Sequence, residues 1–223
     1  MKENVRRILT ALGMALAVHA FFFMLLAPTI VINCSAFKAP SECGIISGMD
    51  AILGNSLSNG DINYFTFIFQ SGEYEVNMIM HLKFSIVNLI PLVLIDVGVI
   101  VFGIMALLEK DNKKKMICGI TVSIFFLISG IIILLMNKFA VPVYELEAVK
   151  IGNGAVQIND IPPDIKQELM QNFVPGKMDF FKRQLTFGWG AYVGSILAFI
   201  AFVLTSIGVG LNFFEYKRKK IQI

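Results

Sequence analysis

Two residues that can carry a proton or a charge interrupt long apolar stretches of this sequence. His19 lies in the apolar run of residues 8–32, and Asp96 lies in the apolar run of residues 84–108. Imidazole and carboxylate groups inside a membrane can relay protons, or they can hold two helices together through a hydrogen bond. The sequence therefore offers His19 and Asp96 as an intramembrane polar pair, and the lack of a second carboxylate in the apolar runs favours the packing clamp over a conducting pair.

The two residues are predicted to lie at one depth. His19 is eleven residues from the start of its run, and Asp96 is twelve residues from the end of its own. An α-helix rises about 1.5 Å per residue, so both side chains are expected roughly 17 Å from the same end, near the bilayer midplane. Sequential antiparallel helices usually pack side by side, which makes a hydrogen bond or an ion pair between the two geometrically available.

The usual signatures of enzyme chemistry are missing from the sequence. It contains only two histidines, and it has no HExxH, no metal-spaced cysteines, no Gly-rich phosphate loop and no serine-nucleophile elbow. His81 with Glu73 or Glu75 could bind a metal only weakly, and a solvated strand face is the simpler interpretation. We therefore predict a protein that is not an enzyme and that uses no cofactor and no metal.

Four apolar runs must position the polar pair. The chain of 223 residues is 56% hydrophobic and 16% charged, with a mean hydropathy of +0.72, which is too apolar for a soluble domain. A bilayer core of about 30 Å needs roughly 20 apolar residues in a helix. Residues 8–32, 84–108, 116–136 and 188–214 meet that requirement. The predicted fold is an α-helical membrane protein with a four-transmembrane-helix bundle.

The first run could also be read as a cleaved signal peptide, because it follows a basic start. Its apolar stretch continues about a dozen residues beyond any small-residue cleavage site, which is too long for a typical signal peptide. A retained first span is therefore favoured.

The charged residues around the runs predict the orientation. Residues 1–7, 109–115 and 215–223 together hold eleven basic and four acidic residues, whereas residues 33–83 and 137–187 hold eight basic and eleven acidic ones. Cytoplasmic segments of membrane proteins are enriched in Lys and Arg. Both termini are therefore predicted to be cytoplasmic in a multi-pass protein of the plasma membrane, and the pI of 8.7 reflects this topology rather than nucleic-acid binding.

The two long outer segments are patterned for β-structure. Residues 73–84 alternate between polar and apolar side chains, and residues 64–70 precede them across a Ser-Gly turn, which predicts a β-hairpin. Residues 143–151 and 155–159 flank Gly-Asn-Gly and predict a second hairpin. Since a lone hairpin is marginal in water, we expect both segments to form one small extracytoplasmic sheet.

Helical spacing marks two further segments. Residues 164–173 predict a short helix that ends at the Pro-Gly pair following Val174. In the fourth run, Gly190, Gly194 and Ala198 recur every four residues. Small residues at this spacing let helix backbones approach closely, so these three are predicted to pack within the bundle.

Cys34 and Cys43 lie in the first outer segment, where an oxidising compartment favours a disulfide that closes a short loop. Two free thiols in a reducing setting are the alternative. Four spans, cytoplasmic termini, two β-bearing outer segments and the Cys-x8-Cys spacing of Cys34 and Cys43 together resemble the claudin-type tetraspan membrane proteins. The resemblance implies adhesion or an auxiliary-subunit role.

These features predict an integral membrane interaction or scaffold protein, or an auxiliary subunit, that acts through its extracytoplasmic domain. Its expected partners are the lipid bilayer and either another membrane protein or a second copy of the chain, bound through the outer loops. The alternative is a small channel or transporter component that uses His19 and Asp96 at the membrane midplane.

Overall fold

The structure is a computed structural model that describes residues 2–32, 45–47, 65–71, 74–83, 86–139, 141–151, 154–156 and 158–221. The helices in these ranges are α1 (Lys2–Leu26), α2 (Ile90–Leu108), α3 (Asn112–Phe139), α4 (Pro163–Glu168, Leu169–Phe173 and Val174–Arg183) and α5 (Trp189–Ile221). The strands are β1 (Pro28–Ile32), β2 (Ile45–Ser47), β3 (Phe65–Ser71), β4 (Tyr74–Lys83), β5 (Val141–Ile151), β6 (Gly154–Val156) and β7 (Leu185–Phe187). Helices α1, α2, α3 and α5 are long and apolar enough to cross a membrane, which confirms the four predicted apolar helices.

The first two spans do not cover the whole of their apolar runs. Helix α1 ends at Leu26, and the rest of the run forms β1 instead of helix. Pro28 explains this end, because it carries no backbone N–H and disfavours the helical conformation of the residue before it. In the second run, a 3₁₀ turn (Ile86–Leu89) precedes α2, whose own backbone widens to a π-helix over Gly98–Gly103.

The predicted end of the short helix at residue 173 is wrong. Helix α4 continues through Val174–Arg183 after a π-helical turn over Leu169–Phe173. Pro175 is tolerated because it lies at the start of the new segment, where its missing N–H interrupts no regular hydrogen bond. Val174 and Phe181 are buried and anchor this added segment.

The strands form two antiparallel sheets. Strands β3, β4, β5 and β6 lie side by side in that order, so the central pair β4–β5 joins the first outer segment to the second. In the other sheet, β1 lies between β2 and β7 and links the end of α1 to the start of α5. Strand β4 comes shortly before α2, and β5 directly follows α3. Both sheets therefore lie at the same end of the bundle, where α1 and α3 end and where α2 and α5 begin.

Helix α5 packs against both α1 and α3, and α2 packs mainly against α3 with a smaller contact to α1. Small residues allow these helices to pack closely. A Cβ atom at Gly119 of α3 would lie 2.6 Å from Cγ2 of Val209 in α5, so a larger residue there would require the Val209 side chain to shift. Two apolar cores fill the molecule: one at the midpoint of the bundle around Phe126, and one between the sheets and α4 around Leu169 and Phe181.

A three-residue connection joins α2 to α3 at the other end of the bundle. The Glu109 carboxylate accepts hydrogen bonds from the backbone N–H groups of Lys110 (2.8 Å) and Asp111 (3.0 Å). These two donors lower the pKa of Glu109, because they stabilise its charged form. Asp111 then accepts from the backbone of Lys113 (2.8 Å) and caps the start of α3.

Candidate functional site

Several buried hydroxyl side chains form hydrogen bonds between the helices of the bundle. The hydroxyls of Ser123 in α3 and Thr205 in α5 lie 2.9 Å apart, and both residues are buried. Ser195 of α5 donates to the carbonyl of Gly130 in α3 over 2.9 Å. Such interhelical bonds are worth about 0.6 to 2 kcal/mol each in a membrane. Hydrogen bonds between hydroxyl and carbonyl groups therefore join α3 to α5 in the middle of the bundle.

His19 lies on an exposed face of α1, next to α5. It borders an open groove of about 400 Å³ whose walls include Phe22, Phe23 and Trp189. The rings of Phe23 and Trp189 meet edge to face with their centroids 5.8 Å apart. Nδ1 of His19 lies 2.7 Å from the carbonyl oxygen of Ala15. Since a carbonyl only accepts, Nδ1 carries a proton, and Nε2 is the nitrogen left for another partner.

Asp96 lies on an exposed face of α2. The neighbouring exposed positions, three residues before it and four residues after it, are Val93 and Ile100, which are both apolar. The buried face of α2 is formed instead by Leu92, Ile95 and Gly98. Among the residues that the structure describes, none forms a hydrogen bond or ion pair with the Asp96 carboxylate. Asp96 is thus a lone ionisable group in a stripe of apolar side chains.

The structure does not bring His19 and Asp96 together. Helix α1 approaches α2 through Met14, whose Sδ would lie 2.8 Å from a Cβ atom at Gly103. His19 is five residues beyond Met14, which places it about 140° away around α1 and on the side of α5. Within the described ranges, no hydrogen bond or ion pair connects the His19 and Asp96 side chains.

Their depths are nevertheless similar. Arg6 and Thr10 of α1 and Ala106 of α2 border one small void, so the two helices run antiparallel. Measured from the contact between Met14 and Gly103, His19 lies five residues and Asp96 seven residues toward the sheets. At about 1.5 Å per residue the difference in depth is roughly 3 Å. The two ionisable groups are therefore nearly level but point away from the bundle on different faces.

The small residues of α5 face α1. A Cβ atom at Gly190 would lie 2.7 Å from the Cβ of Ala27, and one at Gly194 would lie 3.3 Å from the carbonyl oxygen of Ala20. Ala198 is fully buried and belongs to the core at the midpoint of the bundle. Cys34 and Cys43, the predicted disulfide pair, lie outside the described residues.

Sequence reasoning missed a buried basic cluster at the end of the bundle that carries the α2–α3 connection. Arg6 of α1 and Lys115 of α3 are only 5% and 7% exposed, although both lie in the charged segments that the sequence predicts to be cytoplasmic. The Arg6 guanidinium donates to the side-chain oxygen of Asn212 in α5 over 2.9 Å. The sequence signal is weak, because Arg7 and Lys114 next to them are equally basic and exposed.

These observations limit what the molecule can do chemically. Within the described ranges, no group of three or more His, Cys, Asp or Glu residues is placed to hold a metal ion. The two intramembrane ionisable groups can each form a hydrogen bond or ion pair with a group outside the bundle. Comparison with protein-family models, with curated proteins and with solved structures found no match to this chain.

Proposed function

We propose that this chain is an integral membrane interaction protein, an auxiliary or scaffold subunit that assembles with another membrane protein or with a second copy of itself. One observation carries the proposal: Asp96 and His19 face outward from the bundle at nearly one depth, and neither contacts the other within the described residues. The buried hydroxyls of Ser123, Ser195 and Thr205, in contrast, have partners within the chain. At the depth of His19 and Asp96, the side chains that need a partner are therefore these two, on the outside of the bundle.

The energetic reason is the cost of a lone carboxylate in hydrocarbon. Inserting an Asp at the centre of a membrane helix costs about 2.5–3.5 kcal/mol on insertion scales. Such residues almost always face a bundle interior or pair with another polar group. Asp96 does neither among the residues described. A neighbouring helix that brings a donor to this face would offset the cost, and the apolar side chains of Val93 and Ile100 would pack around the contact.

The sheet of β3 to β6 supports the extracytoplasmic part of the proposal. Strand β3 is at the edge of this sheet, and no described strand pairs with its outer side. An edge strand of seven residues presents backbone N–H and C=O groups to an added strand, which is a common mode of protein recognition. An interaction protein would thus hold its partner through the outer sheet and through the Asp96 face of α2.

The placement of the polar groups favours assembly over the channel or transporter alternative. A conduction path through one copy would need facing polar groups inside the bundle. At the level of His19, the interior is instead filled by buried apolar side chains of four helices. These are Ala17, Ala20, Ile95, Val122, Phe126 and Ala198.

Replacing Asp96 by leucine tests the proposed function. We expect crosslinking in native membranes, followed by mass spectrometry, to recover the partner or the self-oligomer about tenfold less than with the unchanged chain, because the desolvated polar contact is lost. Asp96→Asn keeps a hydrogen-bonding group and should retain part of the signal. The thermal stability of the isolated chain should stay the same or rise, since Asp96 holds no described contact within it.

Val203→Leu is the matched control, because Val203 is 49% exposed on α5, away from the Asp96 face, and its replacement leaves the charge unchanged. It should leave crosslinking at the level of the unchanged chain. Undiminished crosslinking of Asp96→Leu, or no crosslinked species from any variant, would count against assembly through this face. Ion flux in liposomes that depends on Asp96 would favour the transporter alternative instead.

The proposed orientation, with both termini in the cytoplasm of the plasma membrane, predicts labelling from opposite sides. A cysteine introduced at Lys114, which is exposed near the start of α3, should react with a membrane-impermeant maleimide only after the membrane is opened. A cysteine at Asp164 in α4 should react in intact cells. Cys118 is buried, and labelling of the unchanged chain, which contains Cys34, Cys43 and Cys118, serves as the background. The reverse labelling pattern would invert the topology.

A further inference from the structure

The basic cluster around Arg6 and Lys115 lies at the end of the bundle opposite the sheets, where all four membrane-length helices meet. Six residues define it: Arg6 and Thr10 of α1, Lys115 and Gly119 of α3, and Gly208 and Asn212 of α5. Leu107 of α2 closes the remaining side. The helices enclose a void of about 10 Å³ between these side chains, which is room for about one water-sized group.

The cluster carries more positive charge than the chain neutralises. The Glu3 carboxylate is shared, because it lies 3.5 Å from the Arg6 guanidinium and 2.9 Å from that of Arg7. The nearby Glu109 carboxylate is held by the backbone N–H groups of its own loop. The ammonium group of Lys115 forms no hydrogen bond or ion pair with any described residue, although Lys115 is only 7% exposed.

A second polar group at the void also lacks a partner. Thr10 is 7% exposed, and its hydroxyl forms no hydrogen bond within the part of the chain that the structure describes. A Cβ atom at Gly208 would lie 2.8 Å from this hydroxyl oxygen, so the glycine keeps the space beside it open. Asn212 is already occupied, since its oxygen accepts from Arg6 and its amide nitrogen donates to the carbonyl of Asn112 over 3.4 Å.

We propose that Arg6, Thr10 and Lys115 form a binding site for the phosphate group of an anionic lipid. A void of one-atom size between an arginine, a hydroxyl and an unpartnered ammonium suits an oxygen atom with negative charge. Charge-assisted hydrogen bonds from Arg and Lys to phosphate oxygens are about twice as strong as neutral ones. A position at the end of membrane-length helices puts the cluster at headgroup depth, where basic pockets between helices bind anionic lipids. The site lies at the opposite end of the bundle from the outer sheet. Lipid binding at this site therefore does not depend on the proposed assembly with a partner, and the two proposals can be tested separately.

Lys115→Gln tests the site, with Lys114→Gln as the matched control. Both changes remove one positive charge from the first turn of α3, but Lys114 is exposed and outside the cluster. The full-length chain is purified in a neutral detergent and titrated with phosphatidylglycerol or phosphatidylcholine, and bound lipid is counted by native mass spectrometry. We expect one tightly bound phosphatidylglycerol, with about tenfold weaker binding in Lys115→Gln and a change within about twofold in Lys114→Gln.

Lys115→Arg keeps the cation and should retain the bound lipid, because binding depends on the positive charge at this position. The melting temperature of Lys115→Gln without lipid, compared with that of the unchanged chain, checks that this variant is folded. Equal weakening in Lys114→Gln and Lys115→Gln would overturn the site and assign the binding to diffuse surface charge. Equal binding of phosphatidylcholine would overturn the preference for an anionic lipid. A separate experiment adds inorganic phosphate to the protein without lipid and measures the melting temperature. If phosphate raises the melting temperature as much as phosphatidylglycerol does, and only when Lys115 is present, the natural ligand is free phosphate and the lipid proposal is overturned.

Discussion

Replacing Gly188 by alanine is expected to destabilise the folded protein more than any other single-methyl change at a described glycine. A Cβ atom at this position would overlap with the carbonyl oxygen of Pro28 and would lie 2.9 Å from the backbone nitrogen of Thr29. The backbone cannot easily shift, because the N–H of Gly188 donates to the carbonyl of Thr29 over 2.9 Å. The adjoining β1–β7 pairing fixes the same two segments, with Ile30 opposite Phe187.

Relief of this clash requires that β1 and β7 separate, which also loosens the junction between α1 and α5. Overpacking of a closely packed site typically costs 1–3 kcal/mol, and we expect about 3 kcal/mol here because both contacts are with backbone atoms. Thermal unfolding of the purified chain in detergent measures the loss. Gly176→Ala is the matched control, since a Cβ atom there meets nothing within 4 Å. A melting temperature for Gly188→Ala equal to that of the control would contradict the close approach.

Replacing Ala20 by leucine should separate α1 from α5. Ala20 is fully buried, and its carbonyl oxygen would lie 3.3 Å from a Cβ atom at Gly194 of the facing helix. Ala17 and Ala198 fill the same level and are also fully buried, so no neighbouring space accepts the larger side chain. Close backbone approach through small residues is the main source of helix association in a membrane, where no hydrophobic force acts between helices. We expect a loss of about 3 kcal/mol, seen as aggregation on size-exclusion chromatography or a lowered unfolding midpoint.

The same substitution on the opposite side of α1 provides the comparison. Ala11 is exposed, so Ala11→Leu adds an identical side chain that faces lipid. Its unfolding midpoint should stay close to that of the unchanged chain. If Ala11→Leu and Ala20→Leu are equally harmful, the small-residue interface does not determine the packing of these helices.

The sequence alone determined which parts of the chain are helices of membrane-spanning length. In hydrocarbon every backbone N–H and C=O must be paired within the segment, so a run of about 20 apolar residues has essentially one stable form. The alternation of polar and apolar residues in the outer segments also predicted where strands form. The alternation of polar and apolar residues over 73–84, broken only at Ile79, predicts a strand, and β4 occupies Tyr74–Lys83 in the structure.

The residues at which the helices end were harder to predict from the sequence, because a helix end depends on the contacts that the following residues make in the folded protein. The apolar run after Leu26 has the hydropathy of a helix, yet Pro28 and the partners of β1 turn it into a strand. The Pro-Gly pair after Val174 predicted a stop, yet burial of Val174 and Phe181 keeps α4 helical. In both places a contact distant in sequence outweighs the local signal.

Only the tertiary structure decided where the ionisable residues point. The sequence placed His19 and Asp96 at one level, but the rotation of α1 is set by which side chains fit against its neighbours. Met14 lies against Gly103 of α2, and this contact turns His19 toward α5. Likewise, Lys115 and Lys114 are equivalent by charge, and only the packing of the helices buries the first. Hydropathy along a chain fixes depth in the membrane, whereas side-chain complementarity across interfaces fixes the direction in which each residue faces.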